Sequence, residues 1–105
     1  MFAMPQYLYR IQPTRLEMLH ESTLREQEIV GQHFRYLQQL MAEGTLILAG
    51  RTLNTDDSTF GIVIFNASDD DAQAIATNDP AVMQRVMRAE VFPYRVALIQ
   101  ETNAK

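Results

Sequence analysis

Four short apolar runs, separated by two stretches of helical periodicity, constrain this chain more than any other feature. They occur in the order β-α-β-β-α-β. Tyr7-Leu8-Tyr9-Arg10-Ile11 is rich in aromatic and branched residues and reads as the first strand, ended by Pro13. Thr45-Leu46-Ile47-Leu48-Ala49 is the second, closed by Gly50. Phe60-Gly61-Ile62-Val63-Ile64-Phe65 is the third, joined to the second through the polar turn Asn54-Thr55-Asp56-Asp57-Ser58 as in a hairpin. The fourth is expected over residues 91–99, with Pro93 near its start, which suits an edge or entry position.

The helices between them carry their own signals. Thr23-Leu24-Arg25-Glu26 is a capping box. After it Ile29, Val30, His33, Leu37, Leu40 and Met41 recur at helical spacing, and Gly44 stops the run. This predicts a first helix over about residues 23–43. Ser68-Asp69-Asp70-Asp71 opens a second, with acids at its positive end, reaching about Asn78. Pro80 disfavours helical geometry at Asp79 and favours a short third helix over about residues 81–88, capped by Asp79. Residues 14–22 are irregular yet contain Leu16, Met18 and Leu19, so they are expected to fold back onto the core or onto a partner.

This order fits an α+β fold of the ferredoxin-like kind, a four-stranded antiparallel sheet with helices on one face. The 105 residues make a single domain, 1–105, with a polar tail from about 101. Apolar residues are 47% of the chain, enough to bury a core and to exclude disorder. By simple alternation Leu46 and Leu48 point one way and Ile47 and Ala49 the other, while Ile62 and Ile64 oppose Val63 and Phe65. Both faces of the sheet are then apolar, and two helices cannot cover both. A second copy packed sheet to sheet about a two-fold axis is the simplest cover, so a homodimer is expected, unless residues 14–22 cover the second face.

Several function classes are excluded or disfavoured. The net charge of −4 argues against nucleic acid and anionic membrane surfaces as partners. No run approaches the length of a membrane span. The chain has no cysteine and two histidines, which excludes thiolate chemistry and any several-histidine metal site within one chain. The opening Met1-Phe2-Ala3-Met4-Pro5 lacks the features of a signal peptide, and a cytoplasmic protein is expected.

His33 lies on the apolar stripe of the first helix, between Val30 and Leu37. An imidazole there needs a hydrogen-bond partner, and a backbone carbonyl would satisfy it as a core residue. Asp79 reads equally as a helix cap. Brought together, the two have a chemical logic: a carboxylate holding one ring nitrogen fixes the tautomer and frees the other nitrogen for acid–base work. No nucleophile motif accompanies them, so elimination or isomerisation is more natural than acyl transfer. Arg10, inside an apolar strand, and Arg51, just after one, are candidate clamps for an anionic ligand, or else surface and interface ion pairs.

The run His33-Phe34-Arg35-Tyr36-Leu37-Gln38-Gln39-Leu40-Met41-Ala42-Glu43-Gly44-Thr45-Leu46-Ile47-Leu48-Ala49-Gly50 resembles the signature of the YciI-like (YCII-related) proteins. Asn78-Asp79-Pro80 is similar to that family's Asp-Pro element, and Val91-Phe92-Pro93-Tyr94 to its final strand. The resemblance implies a dimeric α+β barrel of ferredoxin-like subunits and a pocket where His33 and Asp79 meet. It also implies a relation to a dehydrochlorinase of a chlorinated hydroxyhydroquinone. The sequence departs from the family's shortest members in residues 14–22, and in Arg51 where proline is common. The expected function is an acid–base enzyme without a cofactor, acting on a small aromatic or anionic molecule. The alternative is a dimeric module that binds a small ligand without turning it over. A haem-binding role for His33 is a third reading, which visible absorbance decides.

Overall fold

The computed structural model describes residues 4–100. The expected polar tail from about residue 101 lies outside them. The strands are β1 (Gln6–Pro13), β2 (Leu46–Arg51), β3 (Gly61–Asn66) and β4 (Met87–Tyr94). The helices are α1 (Leu24–Ala42), α2 (Asp69–Thr77) and α3 (Pro80–Met83), and a 3-10 turn (Leu16–Leu19) joins β1 to α1. The four strands form one antiparallel sheet in the order β2-β3-β1-β4. This is the ferredoxin-like α+β arrangement.

Alternation along β1 and β3 decides what faces the helices. Tyr9 pairs with Val63 and Tyr7 with Phe65, and these side chains meet Ala67, Ala72 and Ala76 in the main buried cluster. A second cluster, Ile29, Ala81 and Val86, seats α1 on α3 and on the approach to β4. Small alanines on α2 and α3 let both helices lie close to the sheet.

The start of α1 has the geometry its sequence requires. The Glu26 N–H donates to Thr23 Oγ1 at 3.0 Å, and the Thr23 N–H donates to Glu26 Oε1 at 2.8 Å. Arg15 then grips the same carboxylate. Its hydrogen bonds, with those of Thr23, hold the Glu26 carboxyl down at about 2. The pH dependence follows from the sign. Folding lowers this pKa, so the contribution is full above the unfolded value near 4.3 and is lost as pH falls from there toward 2. Thr23→Ala is expected to lower stability by about 1 kcal/mol in urea unfolding at neutral pH. Glu26→Gln should flatten the acid limb of a pH–stability curve between about 4 and 2.

Three expectations need correction. The fourth strand runs over Met87–Tyr94 and not over 91–99. The short third helix closes after one turn, because Arg85 adopts a left-handed conformation at φ 62° and turns the chain into the sheet early. β4 then pairs along the whole of β1, from Pro13↔Met87 to Gln6↔Tyr94, and Val96 to Ile99 have no strand left to join. Pro93 therefore sits near the end of β4, which is an edge strand. Finally, Leu46 and Leu48 do not share a face. A register shift between them sets Leu46 beside Phe65 and Leu48 beside Ile64, on opposite sides of the sheet, because a bulge adds a residue to one strand only.

The face away from the helices carries Leu8, Leu48, Ile62, Ile64, Phe92 and Tyr94 by the same alternation. No helix of the described residues lies over it. Leu48, Phe92 and Tyr94 are each 43% exposed.

Candidate functional site

Asp79 is fully buried, with no exposed surface at all. It is the N-cap of α3, where its Oδ1 accepts from the Ala81 N–H at 2.9 Å. Its Oδ2 accepts from the Tyr9 hydroxyl at 2.7 Å. The third donor is His33 Nδ1, 2.9 Å from Oδ1 and 2.7 Å from Oδ2. So the cap and the imidazole partner are the same carboxylate. A carboxylate with three donors around it only accepts, and that puts the hydrogen of the neutral imidazole on Nδ1.

Burial and then the Asp79 charge push the Tyr9 phenol well above its ordinary value, so it stays a donor. Tyr36, whose hydroxyl donates to Ile75 O at 2.6 Å, is pushed up to about 12 by burial and by the same charge. The sequence offers Tyr9 for core packing or for stacking on an aromatic ligand, and does not mark it as a hydrogen-bond partner of Asp79. A buried tyrosine hydroxyl needs a partner, and its inward position in β1 signals that much, but nothing in the chain points to an aspartate 70 residues away.

His33 is 9% exposed, and what remains uncovered opens on a cavity of about 330 Å³. The other ring nitrogen, Nε2, has no hydrogen-bond partner among the described residues. The cavity lies between α1, the ends of β1 and β2, the start of β3 and the 3-10 turn. Its walls are mostly apolar, with Val30, Phe34 and Leu37 from α1 facing Ile11, Phe60 and Val63. Gly61 leaves little room for a side chain where β3 begins. A Cβ there would stand 3.1 Å from Ile11 Cγ1 and 3.2 Å from Gly50 O.

Arg51 is the last residue of β2, pairs with Gly61 and lines this cavity. Its guanidinium has no salt bridge among the described residues. Arg10 is placed differently. It stands on the open face of the sheet, opposite Glu90 in register, and its Nη2 donates to the Glu90 carboxylate. Arg10 is not among the cavity residues, because in β1 it alternates with the inward Tyr9 and Ile11. The geometry thus puts His33 and Arg51 on one cavity, with Asp79 buried behind the imidazole, and leaves Arg10 outside it. Among the described residues no helix is long and apolar enough to cross a membrane.

The strand order defines a ferredoxin-like α+β protein with its cavity at one end of the helical layer. The particular family follows from comparison: the model of the YCII-related domain matches residues 9–95, and the chain belongs to that family. No curated protein is significantly similar to it in sequence. Among solved structures, 5-chloro-2-hydroxyhydroquinone dehydrochlorinase from Burkholderia phenoliruptrix, in complex with 2,5-dihydroxybenzoquinone, matches with a TM-score of 0.60 at 23% identity. The match covers 85% of this chain and 93% of that one. At that identity the likeness is one of fold.

Proposed function

We propose that the cavity is an acid–base active site for a small aromatic or anionic molecule. His33 Nε2 is the base, Asp79 its orienter and Arg51 the anion clamp. The observation that carries this reading is the unequal treatment of the two ring nitrogens. Nδ1 is anchored to a fully buried carboxylate, while Nε2 has no partner among the described residues and belongs to a side chain that lines an apolar cavity. A structural histidine has no need of that cavity.

The chemistry follows from the geometry. A ring lying between Val30, Phe34 and Leu37 on one side and Ile11, Phe60 and Val63 on the other would be shielded from water. Nε2 takes a proton from it, and the negative charge that develops is drawn toward Arg51. The electron pair left behind expels a leaving group or shifts a double bond, which is elimination or isomerisation. Dehydrochlorination, the reaction named for the structural neighbour, is a loss of this type.

The protein is further proposed to act as a homodimer, the second copy covering the open sheet face. On that face Arg10 and Glu90 pair with each other, so their charges are matched within each copy and do not oppose the approach of a second.

The test uses 2,5-dihydroxybenzoquinone and benzoate as calorimetric probes, and chloride release from 5-chloro-2-hydroxyhydroquinone as the reaction. Arg51→Ala is expected to weaken probe binding about tenfold. His33→Ala should fold, keep probe binding and lose chloride release. Probe binding with no chloride release in the parent protein supports the non-catalytic binding module instead. Absence of probe binding removes the proposed ligand class.

A further inference from the structure

The stretch between β1 and α1 is fastened at both ends. The Thr14 N–H donates to Val86 O at 3.0 Å and its hydroxyl to Arg85 O at 2.7 Å, tying the start of the stretch to the approach of β4. Arg15 forms a two-point ion pair with Glu26, Nε to Oε2 at 2.8 Å and Nη2 to Oε1 at 2.7 Å. Its Nη2 also donates to Glu21 O at 2.8 Å, drawing in the far end. Between these fastenings runs the 3-10 turn Leu16–Leu19, none of whose residues is buried. Yet Met18 and Leu19 line the cavity.

An apolar turn that contributes so little to the core needs another reason for being held. Met18 touches the cluster of Ile29, Ala81 and Val86, but Leu19 packs against neither buried cluster. Glu26 precedes His33 by seven residues, two turns of helix, so both stand on one face of α1. The ion pair therefore holds the turn over the same face from which the imidazole projects. A single carboxylate serves as helix cap and as anchor.

We infer that Met18 and Leu19 form a size-selecting wall between solvent and His33, with Arg15 as the positioning residue that holds the wall through Glu26. The inference rests on the proposed role of His33 Nε2. It adds that the ligand is selected by bulk at the end of the cavity bounded by the 3-10 turn. The specificity residues then lie in the part of the chain where the sequence departs from the shortest family members.

The test needs no substrate. Bromoacetate and the bulkier 2-bromo-2-phenylacetate both alkylate imidazole nitrogen, and peptide mass spectrometry reports the rate at each of the two histidines. His20 is exposed and serves as the internal reference. In the parent protein, the ratio of bulky to small reagent at His33 is expected to fall well below the ratio at His20. Leu19→Ala keeps both fastenings and should raise the His33 ratio about tenfold. Arg15→Ala should do the same by releasing the turn, with Arg15→Lys between. If thermal melts show Arg15→Ala unfolded, Leu19→Ala decides alone, with Met18→Ala as its second. A reactive His33 whose ratio is unchanged in Leu19→Ala overturns the wall and leaves the proposed function standing. A His33 inert to both reagents in every variant overturns both, because Nε2 is then out of reach.

Discussion

Replacing Asp79 by asparagine is expected to reverse the tautomer of His33. In the parent protein Oδ1 serves the helix cap, and Oδ2 receives the Tyr9 hydroxyl and the closer approach of Nδ1. Asparagine keeps an oxygen for the Ala81 N–H, the cap contact most fixed in direction. Its amide nitrogen then lies toward Tyr9 and His33. Tyr9 can accept a hydrogen bond, but His33 Nδ1 can accept only if it gives up its own hydrogen, which moves to Nε2. The nitrogen without a partner changes from acceptor to donor, and base catalysis from it stops. Nitrogen-15 spectra of the ring should show Nδ1–H in the parent protein and Nε2–H in the variant, with His20 as control. Turnover of a substrate found for the site should fall by about 10²–10⁴-fold. Stability should fall by about 1–3 kcal/mol for the mismatched hydrogen bonds. Asp79→Ala removes the acceptor from three donors at once and is expected to cost about 3–5 kcal/mol. A variant that keeps Nδ1–H would separate the aspartate from any control of the imidazole.

Phe92→Glu is expected to convert a dimer into monomers. Phe92 sits on β4 opposite Leu8, on the sheet face that no helix of the described residues covers, and is already 43% exposed. A glutamate there meets water in the monomer at little cost. In a sheet-to-sheet dimer it would be buried among Leu8, Leu48, Ile62 and Ile64, without a partner, and a buried unpaired carboxylate is strongly unfavourable. Sedimentation at micromolar concentration should give twice the 12.0 kDa chain mass for the parent and the chain mass itself for the variant. A parent protein that sediments at 12.0 kDa rules out the dimer directly.

The elements were largely legible in the sequence because their signals are local. The capping box at Thr23, the stripe from Ile29 to Leu40 and the stop at Gly44, whose φ is 81°, each act within a turn of helix. The ends of β4 were not legible. Residues 91–99 have strand composition to the end, but a strand persists only where a neighbour accepts its hydrogen bonds, and β1 begins at Gln6. The bulge in β2 was equally hidden, since register is settled between strands and not within one.

The candidate site divides along the same line. The sequence by itself determined that an imidazole would stand on the inner stripe of α1 and that an Asp-Pro pair would cap α3, because helix periodicity and capping are properties of neighbouring residues. Their partnership across 46 positions, the third donor from Tyr9, and the separation of Arg51 from Arg10 were decided by the tertiary structure alone. The physical reason is that sheet order and register choose which ends of the elements meet. In β2-β3-β1-β4, Tyr9 lies on central β1 while α1 and α3 pack close beside each other. One buried carboxylate can then be both the cap that the sequence announces and the partner that only the fold supplies.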